Sequence, residues 1–221
     1  MAEVVDYDRK FDPTIYTKEY FEGVQDGIIG FDSYKNAQGI ITDQYTYISD
    51  LMSGVVSKKT ALDVACAYGF SVDTLKSKGW EAKGFDLSEW AVSQAKGDVK
   101  VGNALEDAAW SEYEDKQFGL VVANEFFEHI ESKDVPQVIG NIARIGEWGL
   151  FVIKAHVSPR YDLEECDDEA AHLNHHNISW WIKQFSEYGE IDFALMHEFN
   201  KFAEAYNTSV HWHCRTIIVK F

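Results

Sequence analysis

Residues 62–69 read Leu62-Asp63-Val64-Ala65-Cys66-Ala67-Tyr68-Gly69, an apolar run that closes on a turn of small residues. A run of this kind, taken from residue 60 to 65, fits a buried strand. The small residues after it suit a backbone that must bend sharply. Residues 71–78 then have a helical pattern, with Ser71 as a candidate N-cap and Gly79 as the stop. One strand, one tight turn and one helix in 20 residues is the opening of a parallel α/β unit.

The same alternation continues outward. Strands are predicted at 81–86, 99–102, 118–123 and 149–154, with helices at 89–96 (capped by Ser88) and 132–145 between them. The stretch Phe118-Gly119-Leu120-Val121-Val122-Ala123 is apolar throughout, as a strand covered on both faces requires. A helix at 180–188 and strands at 191–197 and 216–221 complete the chain. The last two strands show no clear crossover helix between them, which predicts an antiparallel final strand. The fold class is therefore α/β, doubly wound, with a mostly parallel seven-stranded sheet and an antiparallel last strand.

Residues 1–57 differ in character. They are rich in Tyr, Phe and Asp, and 38–51 has Ile41, Tyr45 and Ile48 at helical spacing. This part is expected to form an N-terminal helical cap, with its aromatics packing between cap and sheet and Tyr34 and Tyr45 as candidate ligand contacts. Residues 58–221 are expected to form the main domain.

Composition narrows the partners. The 221 residues include 37 acids against 20 bases, for a net charge of −17. Such a surface repels phosphate backbones and anionic membranes, so nucleic acid is disfavoured and a small acceptor is expected. Cys66, Cys166 and Cys214 are odd in number and widely spaced, which argues for a reducing compartment. With no secretion signal or membrane span in view, a cytoplasmic protein is expected; oligomeric state is not readable.

In open α/β sheets, ligands sit outside the carboxyl ends of the strands. Those ends present Asp63 with Ala65, Ala67 and Gly69; then Asp86 and Leu87; then Asn103 and Ala104; then Asn124, Glu125 and His129. Small residues admit close backbone approach, and an acid ending the second strand can accept two ribose hydroxyls. Asn103 can bond a base edge, with Leu87 and Ala104 on the two ring faces.

The stretches LDVACAYGFSVDTL, GFDLSEWAVSQA, VGNALED and FGLVVANEFFEHI resemble the successive motifs of class I S-adenosylmethionine-dependent methyltransferases. The resemblance covers roughly residues 58–154. It implies S-adenosylmethionine as cofactor, held by Asp63, Ala65, Ala67, Gly69, Asp86, Leu87, Asn103, Ala104, Asn124 and Glu125. The family's first motif carries glycine where Ala65 and Ala67 stand. Ala65 is the more unusual departure, because a side chain there narrows the site if the position takes a positive φ. Residues 167–174, Asp-Asp-Glu-Ala-Ala-His-Leu-Asn, followed by Trp180 and Trp181, are loosely similar to a segment of methyltransferases acting on sugars and small molecules.

His129, His172 and His175 are candidate general bases. The histidines and nearby acids lack paired metal-ligand spacing, so no metal is expected. The expected activity is methyl transfer to an oxygen or nitrogen of a small molecule or sugar. The alternative is a weakly active or inactive binding protein of the same fold.

Overall fold

A computed structural model describes residues 10–23, 34–155, 171–174, 176–205 and 214–221. Its described helices are α1 (Lys18–Phe21), α2 (Gln38–Met52), α3 (Phe70–Ser77), α4 (Glu89–Gln94), α5 (Val135–Ile145), α6 (Ile178–Ser186) and α7 (Phe193–Ala205). The described strands are β1 (Thr60–Val64), β2 (Glu81–Asp86), β3 (Val99–Val101), β4 (Phe118–Asn124), β5 (Gly146–Lys154), β6 (Glu190–Ile191) and β7 (Cys214–Lys220).

The strands form one sheet in the order β3-β2-β1-β4-β5-β7-β6. Strands β1 to β5 pair in parallel, and β7 runs antiparallel to both β5 and β6. The chain order reverses direction across the sheet between β1 and β4. That switch point opens a crevice at the carboxyl ends, because the connections leave on opposite faces there.

Two apolar layers cover the sheet. On one face Ile48 and Met52 of α2, Val72 and Leu75 of α3, and Phe199 of α7 pack on Leu120, Val122 and Ile218. On the other face Val138, Ile139 and Ile142 of α5, with Trp181 and Phe185 of α6, pack on Leu62, Val121, Phe151 and Val219. Strands β4 and β5 thus point apolar side chains both ways, which explains their unbroken apolar sequence.

Four expectations need correction. Ser71 does not cap α3: Gly69, at φ +70°, holds the N-cap position, and Ser71 lies inside the first turn, where its hydroxyl donates to Asp63. Residues 191–197 are not a strand; only Glu190–Ile191 pair with β7, and α7 takes the rest and links β6 to β7. The cause is Asp192, whose Oδ1 accepts the backbone N–H of Ala194 (3.1 Å) and Leu195 (2.9 Å) and so caps a helix. The helix predicted from 132 begins at Val135, and the one predicted from 180 begins at Ile178, with the Asn177 side chain accepting from the Trp180 N–H at 3.1 Å.

Candidate functional site

The turn after β1 is left-handed at three alternate residues: Ala65 at φ +59°, Ala67 at +48° and Gly69 at +70°. An L-residue with a Cβ pays for this conformation in steric contact with its own carbonyl. Gly69 has a further reason to lack a side chain, since a Cβ there would lie 2.7 Å from Cγ2 of Val99. The alternation curls the backbone so that the Ala67 N–H points at Asp86.

Asp86 closes β2 and is held on both oxygens. Oδ2 accepts from the Ala67 N–H and Oδ1 from the Ser88 N–H, each at 2.8 Å. Burial nonetheless pushes its pKa up to about 6, with the two N–H groups pulling the other way. A carboxylate offers about four lone-pair positions, so two remain for further donors.

Asp63 lies behind the turn and does not border the cavity. The Ser71 hydroxyl and Tyr45 OH (3.4 Å) both donate to its Oδ2, while Oδ1 is buried with no hydrogen-bond partner. Burial raises it to about 7, opposed by those two donors and reinforced by Asp86. Asp63 therefore ties α2, α3 and β1 together under the turn, and Gly69 likewise lies beneath the surface of the site.

On the far side of the switch point, Asn124 ends β4 and accepts from the Gln44 amide of α2 at 2.7 Å. Glu125 follows at φ +51°, its N–H donating to the Val152 carbonyl at 2.8 Å. Burial lifts Glu125 to about 7, against the pull of Lys154 and Asn124. Asn103 spends its side chain on its own loop, Oδ1 accepting from Leu105 N–H and Nδ2 donating to Glu106, both at 3.0 Å.

One cavity of about 440 Å³ joins these groups, within the size range of small-molecule sites. Ala65, Ala67, Asp86, Leu87, Asn103 and Ala104 border it from the β1–β3 side. Asn124, Glu125, His129, Lys154 and His172 border it from the other. The cap contributes Tyr16, Tyr20, Tyr34, Ile40, Ile41 and Gln44. Tyr34 thus reaches the cavity, whereas Tyr45 serves Asp63 instead.

His129 and His172 stand edge to face with ring centroids 4.7 Å apart. Nδ1 of His129 is 3.2 Å from the Ala171 carbonyl. A carbonyl only accepts, so Nδ1 carries a proton and donates to it. His175 lies outside the described residues. Among the described residues no group of three or more His, Cys, Asp or Glu side chains is placed to hold a metal ion, and no helix is long and apolar enough to cross a membrane.

Sequence reasoning missed Gln44 as a wall residue, whereas Lys154, at the carboxyl end of β5, is where the strand ends predict a ligand. Gln44 carried a signal: it is a polar residue inside the stripe Ile41, Tyr45, Ile48, and it is buried at 5% exposure. A buried polar group on a core-facing stripe needs a partner, and here that partner is Asn124.

The arrangement suits an adenosyl sulfonium. The left-handed turn exposes backbone, Asp86 retains acceptor capacity for ribose hydroxyls, and Leu87 and Ala104 flank the space beside them. Residues 62–153 match a family model described as a methyltransferase domain. No curated protein matches the chain. Among solved structures it is similar to a SAM-dependent methyltransferase from Archaeoglobus fulgidus, with TM-score 0.63 and 14% identity over 83% of this chain and 94% of that one. It is also similar to the PH0226 protein from Pyrococcus horikoshii OT3, with TM-score 0.61 and 18% identity over 92% and 98%. A geranyl diphosphate methyltransferase solved in complex with SAM matches at TM-score 0.57 and 12% identity over 81% and 84%. The chain thus carries a methyltransferase domain at residues 62–153 and has the fold of S-adenosylmethionine-dependent methyltransferases.

Proposed function

We propose that the chain transfers a methyl group from S-adenosylmethionine to an oxygen or nitrogen of a small molecule. The observation that carries this reading is the left-handed turn with its N–H on Asp86, bordering the same cavity as His129. When bound, the cofactor supplies an electrophilic methyl on a positively charged sulfur. The chain's own residues then have three tasks.

Asp86 accepts the ribose hydroxyls on the lone pairs that Ala67 and Ser88 leave open. Asn124, anchored by Gln44, and Glu125, held at positive φ by its bond to β5, present polar groups at the middle of the cavity, between the two halves. His129 receives the acceptor's proton on Nε2 as the nucleophile attacks, with the Ala171 carbonyl steadying the imidazolium through Nδ1. The aromatic cap residues exclude water, which strengthens each of these interactions.

The test is direct. S-adenosylhomocysteine binding by calorimetry should survive His129→Ala within threefold, while turnover falls by roughly 10² to 10⁴. If turnover is unchanged, His129 is not the base. A second reading has one observation in its favour: Ala65 and Ala67 stand in the left-handed positions where glycine costs nothing. Under that reading the chain binds the cofactor without turnover. Tight S-adenosylhomocysteine binding, with no methylated product across oxygen and nitrogen acceptors, would select it.

A further inference from the structure

Resting on that reading, we propose that residues 10–21 are a gate over the cofactor, latched by the Ser88 hydroxyl on the Tyr16 carbonyl, and that the cofactor enters and leaves when this latch releases.

The first argument is the path of the segment. Two polar pins fix it on opposite sides of the crevice. The Ser88 hydroxyl, just past the end of β2, donates to the Tyr16 carbonyl at 2.6 Å. The Phe11 N–H donates to Oε1 of Glu131, past the end of β4, at 3.3 Å. In the sheet β1 lies between β2 and β4. The chain between the pins therefore crosses the carboxyl end of β1, where the left-handed turn lies. Phe11, Tyr16, Tyr20 and Phe21 all border the cavity that the turn and Asp86 border.

The second is unequal anchorage. Tyr20 and Phe21 are buried and pack with Ala67, Tyr68 and Ala91. The Lys18 ammonium lies 5.2 Å above the Trp90 ring. Residues 10–19, by contrast, are exposed or half-buried throughout. A segment anchored in apolar packing at one end and pinned by polar contacts along the rest opens locally at far lower cost than a core helix. The α1 end is thus the hinge. The part that swings carries Tyr16, whose ring stands edge to face with His129 at 6.0 Å.

The third is coupling to the cofactor. The Ser88 N–H donates to Oδ1 of Asp86 at 2.8 Å, and its hydroxyl oxygen accepts from the Ala91 N–H at 3.2 Å, capping α4. The ribose acid and the latch therefore share one turn. A ligand that engages Asp86 below and the aromatic rings above favours the closed segment, and by linkage the closed segment favours the ligand.

A gate has a kinetic signature. If the segment is mostly closed with and without ligand, weakening the latch shifts both states alike. Entry and exit then accelerate by the same factor, and Kd hardly moves. A residue that only adds binding energy raises the exit rate alone.

The experiment uses the full chain, with S-adenosylhomocysteine rates by surface plasmon resonance and amide exchange of the 11–21 peptide by mass spectrometry. Failure of the wild type to bind overturns the methyltransferase reading and this one with it. Ser88→Gly removes the hydroxyl at a position where glycine is tolerated as a cap. It should raise kon and koff together by about three- to tenfold, the worth of one neutral hydrogen bond, with Kd held within about twofold. Exchange in the ligand-free 11–21 peptide should quicken at least threefold. Ser88→Thr keeps the hydroxyl and should behave as wild type. Glu131→Ala, which loosens the other pin from outside the cavity wall, should move both rates in the same direction and serves if Ser88→Gly does not fold. If koff rises while kon stays fixed, if neither rate moves, or if Ser88→Thr matches Ser88→Gly, the gate is overturned and the methyltransferase reading stands.

Discussion

The turn after β1 makes a prediction of unusual sign: replacing Ala65 by glycine should stabilise the protein. Ala65 sits at φ +59°, where its Cβ costs about 1–2 kcal/mol relative to the right-handed region. Glycine removes that cost but returns roughly 0.5–1 kcal/mol through its freer unfolded chain. The balance is a gain of about 0.5–1 kcal/mol, or about 1–4 °C in Tm for a chain of this size. Gly69→Ala in the same turn should move the other way. Its φ is +70° and a Cβ would meet Val99 Cγ2 at 2.7 Å, so strain and overpacking together predict a loss of about 2–4 kcal/mol. Urea and thermal melts of both variants without ligand give the answer, with S-adenosylhomocysteine affinity of Ala65→Gly expected to hold or improve. A loss of 0.5 kcal/mol or more in Ala65→Gly would show that residue 65 is not left-handed in solution, and the account of the turn would fall with it.

Asp86→Asn should weaken S-adenosylhomocysteine at least tenfold by calorimetry, because the amide turns an N–H toward Ala67 or Ser88 and loses acceptor capacity for the ribose; unchanged affinity would remove Asp86 from the cofactor site. Stability should depend on pH through Asp63 and Glu125, each raised to about 7, and Asp86, raised to about 6. These groups hold protons in the folded chain that the unfolded chain releases near pH 4, so their stabilisation is complete below about 4 and is lost as pH rises through about 6 to 7. The ligand-free Tm should therefore fall by several degrees between about pH 5.5 and 8, and S-adenosylhomocysteine affinity should rise over the same window as Asp86 ionises; a flat or rising ligand-free Tm would contradict the burial of the three acids. Gln44→Leu should lower kcat more than it alters S-adenosylhomocysteine affinity, since it frees Asn124 at the centre of the cavity without touching Asp86; equal loss in both would make Gln44 a purely structural residue.

How far the sequence spoke for itself depended on whether a signal was local. The strand–helix alternation from residue 60 to 154 could be read because each parallel strand is a short apolar run and each helix a periodic one. The reading failed at 191–197, where Ile191, Phe193, Leu195 and Met196 fit either period over so few residues, and Asp192 decided the matter by capping α7. Ser71 misled for the opposite reason: it has the residue type of an N-cap, but the left-handed Gly69 had already turned the chain, which freed the hydroxyl to reach Asp63.

The cofactor half of the cavity and its other half differ in the same way. Ala65, Ala67, Asp86, Leu87, Asn103 and Ala104 each lie at the end of a strand or within three residues after it, so knowing the strands places them, and all six border the cavity. The other half is assembled from residues within 11–21, 34–44 and 124–130 together with Lys154 and His172, segments that touch only after the sheet has formed. The bond from Gln44 to Asn124 spans 80 residues and that from His129 to Ala171 spans 42. No periodicity within a segment encodes such a meeting. What does survive at the level of one residue is the cost of misplacing a polar group, and Gln44 on the buried stripe of α2 shows how to use it. A buried amide on a core-facing helix predicts that an acceptor arrives from elsewhere, and the end of β4 at the sheet's switch point is where a doubly wound fold brings one.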